Sequence, residues 1–157
     1  MSRTNQEGIK LIKDFEKLEL NAYNCATGHC TIGWGCTYYK DKSPVKIGDR
    51  INEVDAEDLF NFHLKIAEDI VSSVLMVTTT ENEFAALVAM AFNVKPIPFK
   101  NSTLIKLLNK NEDRKIVSAE FLRWNKGEVI VNGEKKLVPI AGLTRRREAE
   151  RQLFLKP

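Results

Sequence analysis

The sequence predicts an α+β fold with two lobes, a small antiparallel three-stranded sheet lobe and a larger helical lobe, joined by a long helix. Short runs of β-branched and aromatic residues, broken by glycine and proline, are concentrated between positions 20 and 51. Apolar residues at helical spacing occupy the segments on both sides. We expect a single domain over residues 1–157, with a strand-rich lobe at about 17–52 and a helical lobe at about 75–157 that packs with the N-terminal helix.

The N-terminal segment is predicted to be a helix with a carboxylate on its buried side. Thr4 and Glu7 have the spacing of a capping box, in which each side chain bonds a free backbone N–H of the first turn. Glu16 then shares one helix face with three apolar residues, Ile9, Ile12 and Phe15.

The next segment, from Leu20 to Ile51, has the composition of short strands and turns. Five residues that favour turns interrupt it, namely Gly28, Gly33, Gly35, Pro44 and Gly48. We predict three short antiparallel strands here, since strands of this length need a partner on at least one edge.

Two helices are predicted after the strands. Asn52 is a favourable N-cap, and the apolar positions that follow advance in steps of three and four, at Leu59, Phe62, Ile66, Ile70 and Val74. Thr80 and Glu83 then begin a second helix, which is rich in Ala, Leu, Val and Met to Phe92 and ends before Pro96. Its composition predicts the buried centre of the larger lobe.

The C-terminal third is predicted to contain three helices and one hairpin. The helices cover about 102–109, 111–124 and 143–155. Between the second and the third, two valine-rich runs flank Asn132-Gly133, a dipeptide typical of the type I′ turn of a two-residue hairpin.

Composition excludes several classes of protein. Apolar residues make up 43% of the chain and charged residues 29%, values that argue against a disordered or fibrous protein. No apolar run approaches the ~20 residues that cross a bilayer, and the amphipathic start differs from an export signal, so we expect no stable membrane insertion. The net charge of +3 is mild. A basic cluster, Arg145, Arg146, Arg147 and Arg151, is interpreted as a solvated helix face, with attraction to an anionic polymer as the alternative.

Three cysteines, Cys25, Cys30 and Cys36, lie within one twelve-residue window. Gaps of five and six residues differ from the spacing of zinc ligands, and no phosphate loop, helical His-Glu-x-x-His or calcium loop occurs, so we predict neither a metal nor a cofactor. The odd number favours reduced thiols. A redox-sensitive disulfide within the window stays open, because a turn at 33–35 would set Cys30 opposite Cys36.

Glu16 is the candidate catalytic acid. Cleavage of a glycosidic bond needs an acid that holds its proton near neutral pH, and both apolar surroundings and the negative end of a helix raise the pKa of a carboxyl. Periodicity alone leaves two other interpretations open, an exposed glutamate at the helix end and a structural ion pair.

Sequence motifs add to this interpretation. Glu16 follows a phenylalanine, Cys25 comes nine residues later, and Thr31 six further on begins Thr-Ile-Gly-Trp-Gly. This pattern resembles the signature of the phage-type lysozymes, glycoside hydrolase family 24. The likeness continues through Pro-Val-Lys-Ile-Gly-Asp at 44–49, Ala-Phe-Asn-Val at 91–94, Phe-Lys-Asn-Ser-Thr-Leu at 99–104 and Gly-Leu-Thr-Arg-Arg-Arg-Glu-Ala-Glu at 142–150. It covers nearly the whole chain.

The resemblance implies an endolysin, a muramidase that hydrolyses the β-1,4 bond between N-acetylmuramic acid and N-acetylglucosamine in a cleft between the two lobes. Glu16 would be its general acid. Phe92 and Asn93 would line the cleft, with Asn101 and Arg145 as further neighbours of the glycan or its peptide. The implied partner is the peptidoglycan glycan strand, acted on by a monomer that stays in the host cytoplasm until release.

The chain departs from the family pattern at two positions. Cys25 stands where most members have aspartate, and Cys36 stands where a histidine is usual. A thiol with an ordinary pKa is mostly neutral at pH 7, so Cys25 acts as base or nucleophile only if its surroundings lower that pKa. In this hypothesis the Thr31 hydroxyl orients the attacking water. In the second hypothesis Glu16 provides nearly all of the catalysis and Cys25 only fills space.

Two non-enzymatic interpretations compete. A non-catalytic cell-wall glycan-binding domain would use the same fold without cutting, and would release no reducing ends from peptidoglycan. A nucleic-acid-binding domain would need exposed aromatic residues among its basic ones, and the sequence offers the charge without the aromatics. We therefore expect no nucleic-acid partner.

Overall fold

The structure is a computed structural model that describes residues 3–25 and 28–157. Its α-helices are α1 (Gln6–Glu16), α2 (Glu53–Val74), α3 (Glu81–Asn93), α4 (Pro96–Lys100), α5 (Thr103–Asn109), α6 (Arg114–Ala119) and α7 (Ala141–Leu155), with a 3-10 helix at Glu120–Arg123. Its strands are β1 (Glu19–Asn24), β2 (Cys30–Gly33), β3 (Lys126–Val131) and β4 (Glu134–Pro139). The α+β class predicted from the sequence is confirmed.

The N-cap of α1 lies one residue later than predicted. Asn5 is the N-cap, and its side chain accepts a hydrogen bond from the Gly8 backbone N–H at 3.0 Å. The predicted capping box of Thr4 and Glu7 is wrong, because Thr4 is buried against α2, where its backbone N–H and its hydroxyl both donate to Glu68 at 2.8 Å. A tertiary contact has replaced the local one.

In the described residues the N-terminal sheet has two strands, β1 and β2, rather than the predicted three. Instead of a third strand, isolated antiparallel bridges join Asn21 to Arg50, Ile32 to Cys36 and Tyr38 to Pro44. The Asp49 carboxylate accepts the Lys46 backbone N–H at 2.9 Å, and Gly48 between them has a φ of +100°. This local turn occupies backbone groups that a regular strand would need.

The two central helices begin as predicted. The Asn52 side chain accepts from the Asp55 N–H at 2.7 Å at the start of α2. Thr80 and Glu83 form the reciprocal capping box predicted for α3. Helix α3 is buried along almost its whole length, as its composition predicted.

Helix α2 contributes to two separate hydrophobic clusters. The smaller cluster lies under β1 and β2 and is built from Ile32, Cys36, Val45 and Leu59. The larger cluster surrounds α3, and α2 adds Phe60, Leu64, Ala67 and Val71 to it. Because one continuous helix supplies side chains to both, the strand region is fixed to the helical region without a separate linker.

The C-terminal elements follow the sequence with one exception. The β3–β4 hairpin is confirmed, and Asn132 and Gly133 at its turn have φ of +52° and +80°, as a type I′ turn requires. The single helix predicted at about 111–124 is wrong. Asn111 has a φ of +57°, which stops the chain from continuing α5, and Asp113 accepts from the Lys115 N–H to begin the shorter α6.

Within the described part of the chain, no helix combines the length and apolarity that crossing a membrane demands.

Candidate active site

Glu16 is the last residue of α1, and its carboxylate is held by a buried arginine. Its side chain is 17% exposed, and Oε1 accepts a hydrogen bond from Arg146 Nη1 at 2.5 Å. Lys17, which follows at a φ of +56°, turns the chain towards β1. The apolar niche expected around Glu16 is therefore wrong, because α7 places the end of a guanidinium beside the end of α1. Of the interpretations left open, the ion pair is the one observed.

The arginines of α7 form an internal charge cluster. Arg146 and Arg147 are 4% and 1% exposed, so the solvated helix face predicted for this basic run is wrong at these two positions. Glu150, which has no exposed surface, accepts from both of them. Arg147 also donates to the Asn93 side chain. Burial lowers the pKa of Arg147, while the neighbouring Glu150 opposes that shift.

Gly35 supports the Glu16 carboxylate from the opposite side. Its φ is +74°, a conformation that other residues rarely adopt. A Cβ atom at this position would lie 2.7 Å from the carboxyl carbon of Glu16, which is closer than van der Waals contact allows. The absence of a side chain at position 35 is therefore a condition for the observed place of Glu16.

Tyr23 connects Glu16 to the strands. In the β1–β2 ladder it lies directly opposite Thr31. Burial raises the pKa of Tyr23, and the negative charges of Glu16 and then of Cys25 raise it further. The charges of Glu16 and Cys25 thus both act on the Tyr23 hydroxyl. Tyr23 is therefore linked to Glu16 and Cys25 by electrostatics and to Thr31 by strand pairing.

Cys25 directly follows β1 and is half-buried. Its backbone N–H donates to the His29 carbonyl and its carbonyl accepts from the Gly28 N–H, both at 2.9 Å. The Thr31 hydroxyl donates to the same His29 carbonyl at 3.1 Å, and Thr31 is 4% exposed. One turn therefore holds the backbone of Cys25 and the side chain of Thr31 against a shared carbonyl.

The other two cysteines are separated by the fold. Cys36 exchanges two backbone hydrogen bonds with Ile32, whereas Cys30 pairs with Asn24. The expectation that a turn at 33–35 sets Cys30 opposite Cys36 is wrong, because this turn pairs Cys36 with Ile32 instead. No disulfide joins the three cysteines in the described structure. Burial, and then the charge of Glu16, raise the pKa of Cys36 to about 12, which keeps its thiol neutral.

Phe92 and Asn93 are the last two residues of α3, and Phe92 lies on the helical side of a cleft. The Phe92 ring packs 5.5 Å from that of Phe60 and lines a cleft of about 170 Å³, which also includes Tyr38 and His63. The Asn93 side chain faces Arg147. Phe92 is thus both a partner of the core and a cleft wall.

Asn101 and Arg145 are exposed. Asn101 ends α4, with its backbone N–H donating to the Ile97 carbonyl at 3.1 Å. Arg145 precedes the two buried arginines on α7 and points to solvent. In the ranges that the structure describes, no polar contact links either residue to Glu16 or Asn93, so the structure does not bring them into the same group.

Comparison with known proteins identifies one enzyme family. The family model described as phage lysozyme matches residues 13–150. The chain belongs to the phage lysozyme family. It is thus a lysozyme by family, a glycoside hydrolase that acts on peptidoglycan, and the enzyme class predicted from the sequence is confirmed.

Individual relatives agree with this assignment. The chain is 35% identical over 150 residues to an endolysin of Acyrthosiphon pisum secondary endosymbiont phage 1, with 96% of each chain covered. Among solved structures it resembles an endolysin from Escherichia coli O157:H7 phage FAHEc1, with a TM-score of 0.86, 35% identity and coverage of 98% of this chain and 93% of the other. It also resembles the muramidase domain of SpmX from Asticaccaulis excentricus, with a TM-score of 0.83, 29% identity and full coverage of both chains.

Residues of this lysozyme that were not predicted for the site are Tyr23, Gly35, Arg146, Arg147 and Glu150. The sequence does contain a signal for three of them. Arg146 and Arg147 lie four and three residues before Glu150, which is the spacing of ion pairs on one helix face. That spacing does not reveal whether the face is solvated or buried.

The chemistry available here is that of a carboxylate, a thiol and a hydroxyl. Within residues 3–25 and 28–157, no group of three or more His, Cys, Asp or Glu side chains has the arrangement of a metal site. The described titratable side chains whose pKa responds to the charge of Glu16 include Tyr23 and Cys36.

Proposed function

We propose that this lysozyme cleaves the β-1,4 bond between N-acetylmuramic acid and N-acetylglucosamine with Glu16 as the proton donor. The observation that carries the proposal is the placement of the Glu16 carboxylate, between Arg146 on one side and Gly35 on the other. Arg146 occupies Oε1, so the proton of the acid form belongs on Oε2, the oxygen beside Gly35. That oxygen would face the leaving group, and Arg146 would stabilise the carboxylate left after proton transfer.

Cys25 and Thr31 would serve the opposite face of the sugar. With its hydrogen committed to the His29 carbonyl, the Thr31 hydroxyl has lone pairs left to accept a hydrogen bond from an attacking water and so orient it. Cys25, as thiolate, would take one proton of that water while the other stays on the new anomeric hydroxyl, or would attack the anomeric carbon itself. The electrostatic link of Tyr23 to both Glu16 and Cys25 supports a shared site.

The glycan strand would lie in the cleft between the strands and α3. Phe92 would stack on a sugar face, and Asn93, steadied by Arg147, would bond its polar groups. Asn101 and Arg145 would contact more distant parts of the glycan or its peptide, since both are exposed.

The relatives named endolysins support a phage context. We propose a monomer without a cofactor that stays in the host cytoplasm until a separate membrane lesion admits it to the wall. Light scattering of the purified protein tests the monomer, and an assay in chelator tests the absence of a metal requirement.

Replacement of Glu16 by glutamine tests the central role. The amide still accepts a hydrogen bond from Arg146 but donates no proton, so we expect release of reducing ends from peptidoglycan to fall by roughly 10²- to 10⁴-fold. Glu7→Gln is the matched control, since Glu7 lies on the same helix, exposed and paired with Lys156. Near-normal activity of Glu16→Gln in a folded protein would contradict the proposal.

A non-catalytic wall-binding function is favoured by one observation, that Glu16 is observed as half of an ion pair with Arg146. In that case the protein sediments with purified peptidoglycan without releasing reducing ends. Release of new reducing ends by the wild-type protein excludes this alternative.

A further inference from the structure

A fully buried carboxylate lies behind the groups that are proposed to react. Glu150, in the middle of α7, has no exposed surface. Its Oε1 accepts from Arg146 Nε at 3.1 Å and its Oε2 accepts from Arg147 Nη1 at 2.5 Å. Each oxygen of one carboxylate thus holds a different guanidinium, which follows from their spacing of four and three residues on the same helix.

Each arginine then extends to a different part of the site. Arg146 donates from Nη1 to Glu16, at the end of α1. Arg147 donates from Nη2 to the side chain of Asn93, at the end of α3. Two further donors of these arginines bond backbone carbonyls, Arg146 Nη2 that of Ala89 at 3.1 Å and Arg147 Nε that of Trp124 at 2.9 Å. The guanidiniums therefore have little freedom to rotate.

The charges of this cluster balance. Two buried guanidiniums face two carboxylates, Glu16 and Glu150. An unpaired charge in a buried place is strongly unfavourable. Loss of Glu150 would leave both guanidiniums with Glu16 as their remaining carboxylate partner in this cluster.

We propose that Glu150 is a positioning residue that fixes, through Arg146 and Arg147, the Glu16 carboxylate and the Asn93 side chain in one relative placement. This inference rests on the proposed role of Glu16 as the acid. Glu150 itself reaches no substrate, because it is fully buried. An acid fixed relative to the cleft wall meets the glycosidic oxygen in one geometry, and misplacement by about 1 Å is enough to cost 10²-fold in rate.

Replacement of Glu150 by glutamine tests the inference. The amide oxygen still accepts from one arginine, but its NH₂ group faces the donors of the other, so one of the two connections is released. We expect kcat on peptidoglycan to fall by ~10- to 100-fold with little change in KM. Glu148→Gln is the control, because Glu148 is on the same helix, partly exposed and paired with Arg151, and we expect wild-type kinetics from it.

The pH profile provides a second readout. The groups that act on Glu16 are Arg146 and Arg147 from α7, Tyr23 from β1, and Cys36. Loss of the Glu150 charge changes the electrostatic field around these groups, so we expect the pH optimum of activity to move. A residue that only stabilises the fold would leave this optimum unchanged.

The outcomes separate the two proposals. If Glu150→Gln melts at a lower temperature but keeps wild-type kcat and pH optimum, positioning is overturned. If it does not fold, Glu150→Asp is the test, because aspartate keeps the charge but is one methylene too short to hold both arginines. Wild-type kcat in Glu150→Asp would contradict the positioning role. Activity retained in Glu16→Gln removes the proposed acid itself, whereas an inactive Glu16→Gln beside fully active Glu150 variants removes the positioning role alone.

Discussion

The two sides of the candidate site are held by different kinds of interaction. On the Glu16 side, the carboxylate is bonded to Arg146. The Arg146 side chain is 5% exposed and also forms an ion pair with the buried Glu150. On the Cys25 side, the backbone of Cys25 is hydrogen-bonded to Gly28 and His29, both of which are exposed. The proposed acid is therefore held by a buried ion pair, whereas Cys25 lies beside exposed residues just after β1.

This difference predicts unequal tolerance to substitution. A buried charge network fails as a unit when one member is removed, because the others lose their counter-charges. A turn fixed by its backbone keeps its shape when a side chain of similar size is exchanged. Changes on the Glu16 side should therefore alter stability and activity together, and changes at Cys25 should alter activity alone.

The largest effect is expected from Arg146→Met. This change leaves Glu16 and Glu150 without a shared partner, and we expect it to lower the free energy of unfolding by about 3–5 kcal/mol and to abolish activity. Urea denaturation measures the loss. Arg145→Met removes the same charge from an exposed neighbour and should change stability by less than about 0.5 kcal/mol. Similar losses in both variants would show that the buried network is not special.

The second-largest effect is expected from substitution of Cys25, which should lower kcat with little change in stability. Serine is close in size but a far weaker acid, so Cys25→Ser should reduce kcat by roughly 10²-fold or more, while Cys25→Asp should retain much of it. Thermal melting should stay near that of the wild type in both. Full activity of Cys25→Ser would favour the hypothesis that Cys25 only fills space.

Gly35→Ala tests the Glu16 side by adding an atom beside the carboxylate instead of removing a partner. An added Cβ would displace the Glu16 carboxylate, and we expect kcat to fall by ~10- to 100-fold. Gly48→Ala is a matched control, because Gly48 also has a positive φ, of +100°, but its Cβ would meet no atom within 4 Å. Both variants share the backbone strain, so equal activities would disprove the contact argument.

The smallest effect is expected from Cys36→Ala, which should cost about 1 kcal/mol of stability and leave kcat unchanged. Because the pKa of Cys36 is raised to about 12 in the fold, the unfolded chain loses this proton first as pH rises, and stability falls above a pH of about 9. Cys36→Ala should lack this component. In the native wild type, iodoacetamide at a pH of about 8 should spare Cys36, and its rapid alkylation would contradict the buried position.

Local signals predicted most of the helices well. The Thr80 and Glu83 box, the Asn52 cap and the Asn132-Gly133 turn depend on residues within four positions of each other, and all three are present as predicted. Thr4 shows the limit of such signals, because Glu68, 64 residues away, competes for the same donors. Sequence spacing alone does not reveal that Glu68 is an alternative partner for Thr4.

The sequence by itself determined the α+β class, the family and the candidate trio of Glu16, Cys25 and Thr31, because each depends on short spacings and motifs. Only the tertiary structure decided the surroundings of Glu16. A helix face rich in arginine looks the same in sequence whether it meets water or another helix. Packing of α7 against α1 and α3 buried Arg146 and Arg147, and made an ion pair where apolar surroundings had been predicted.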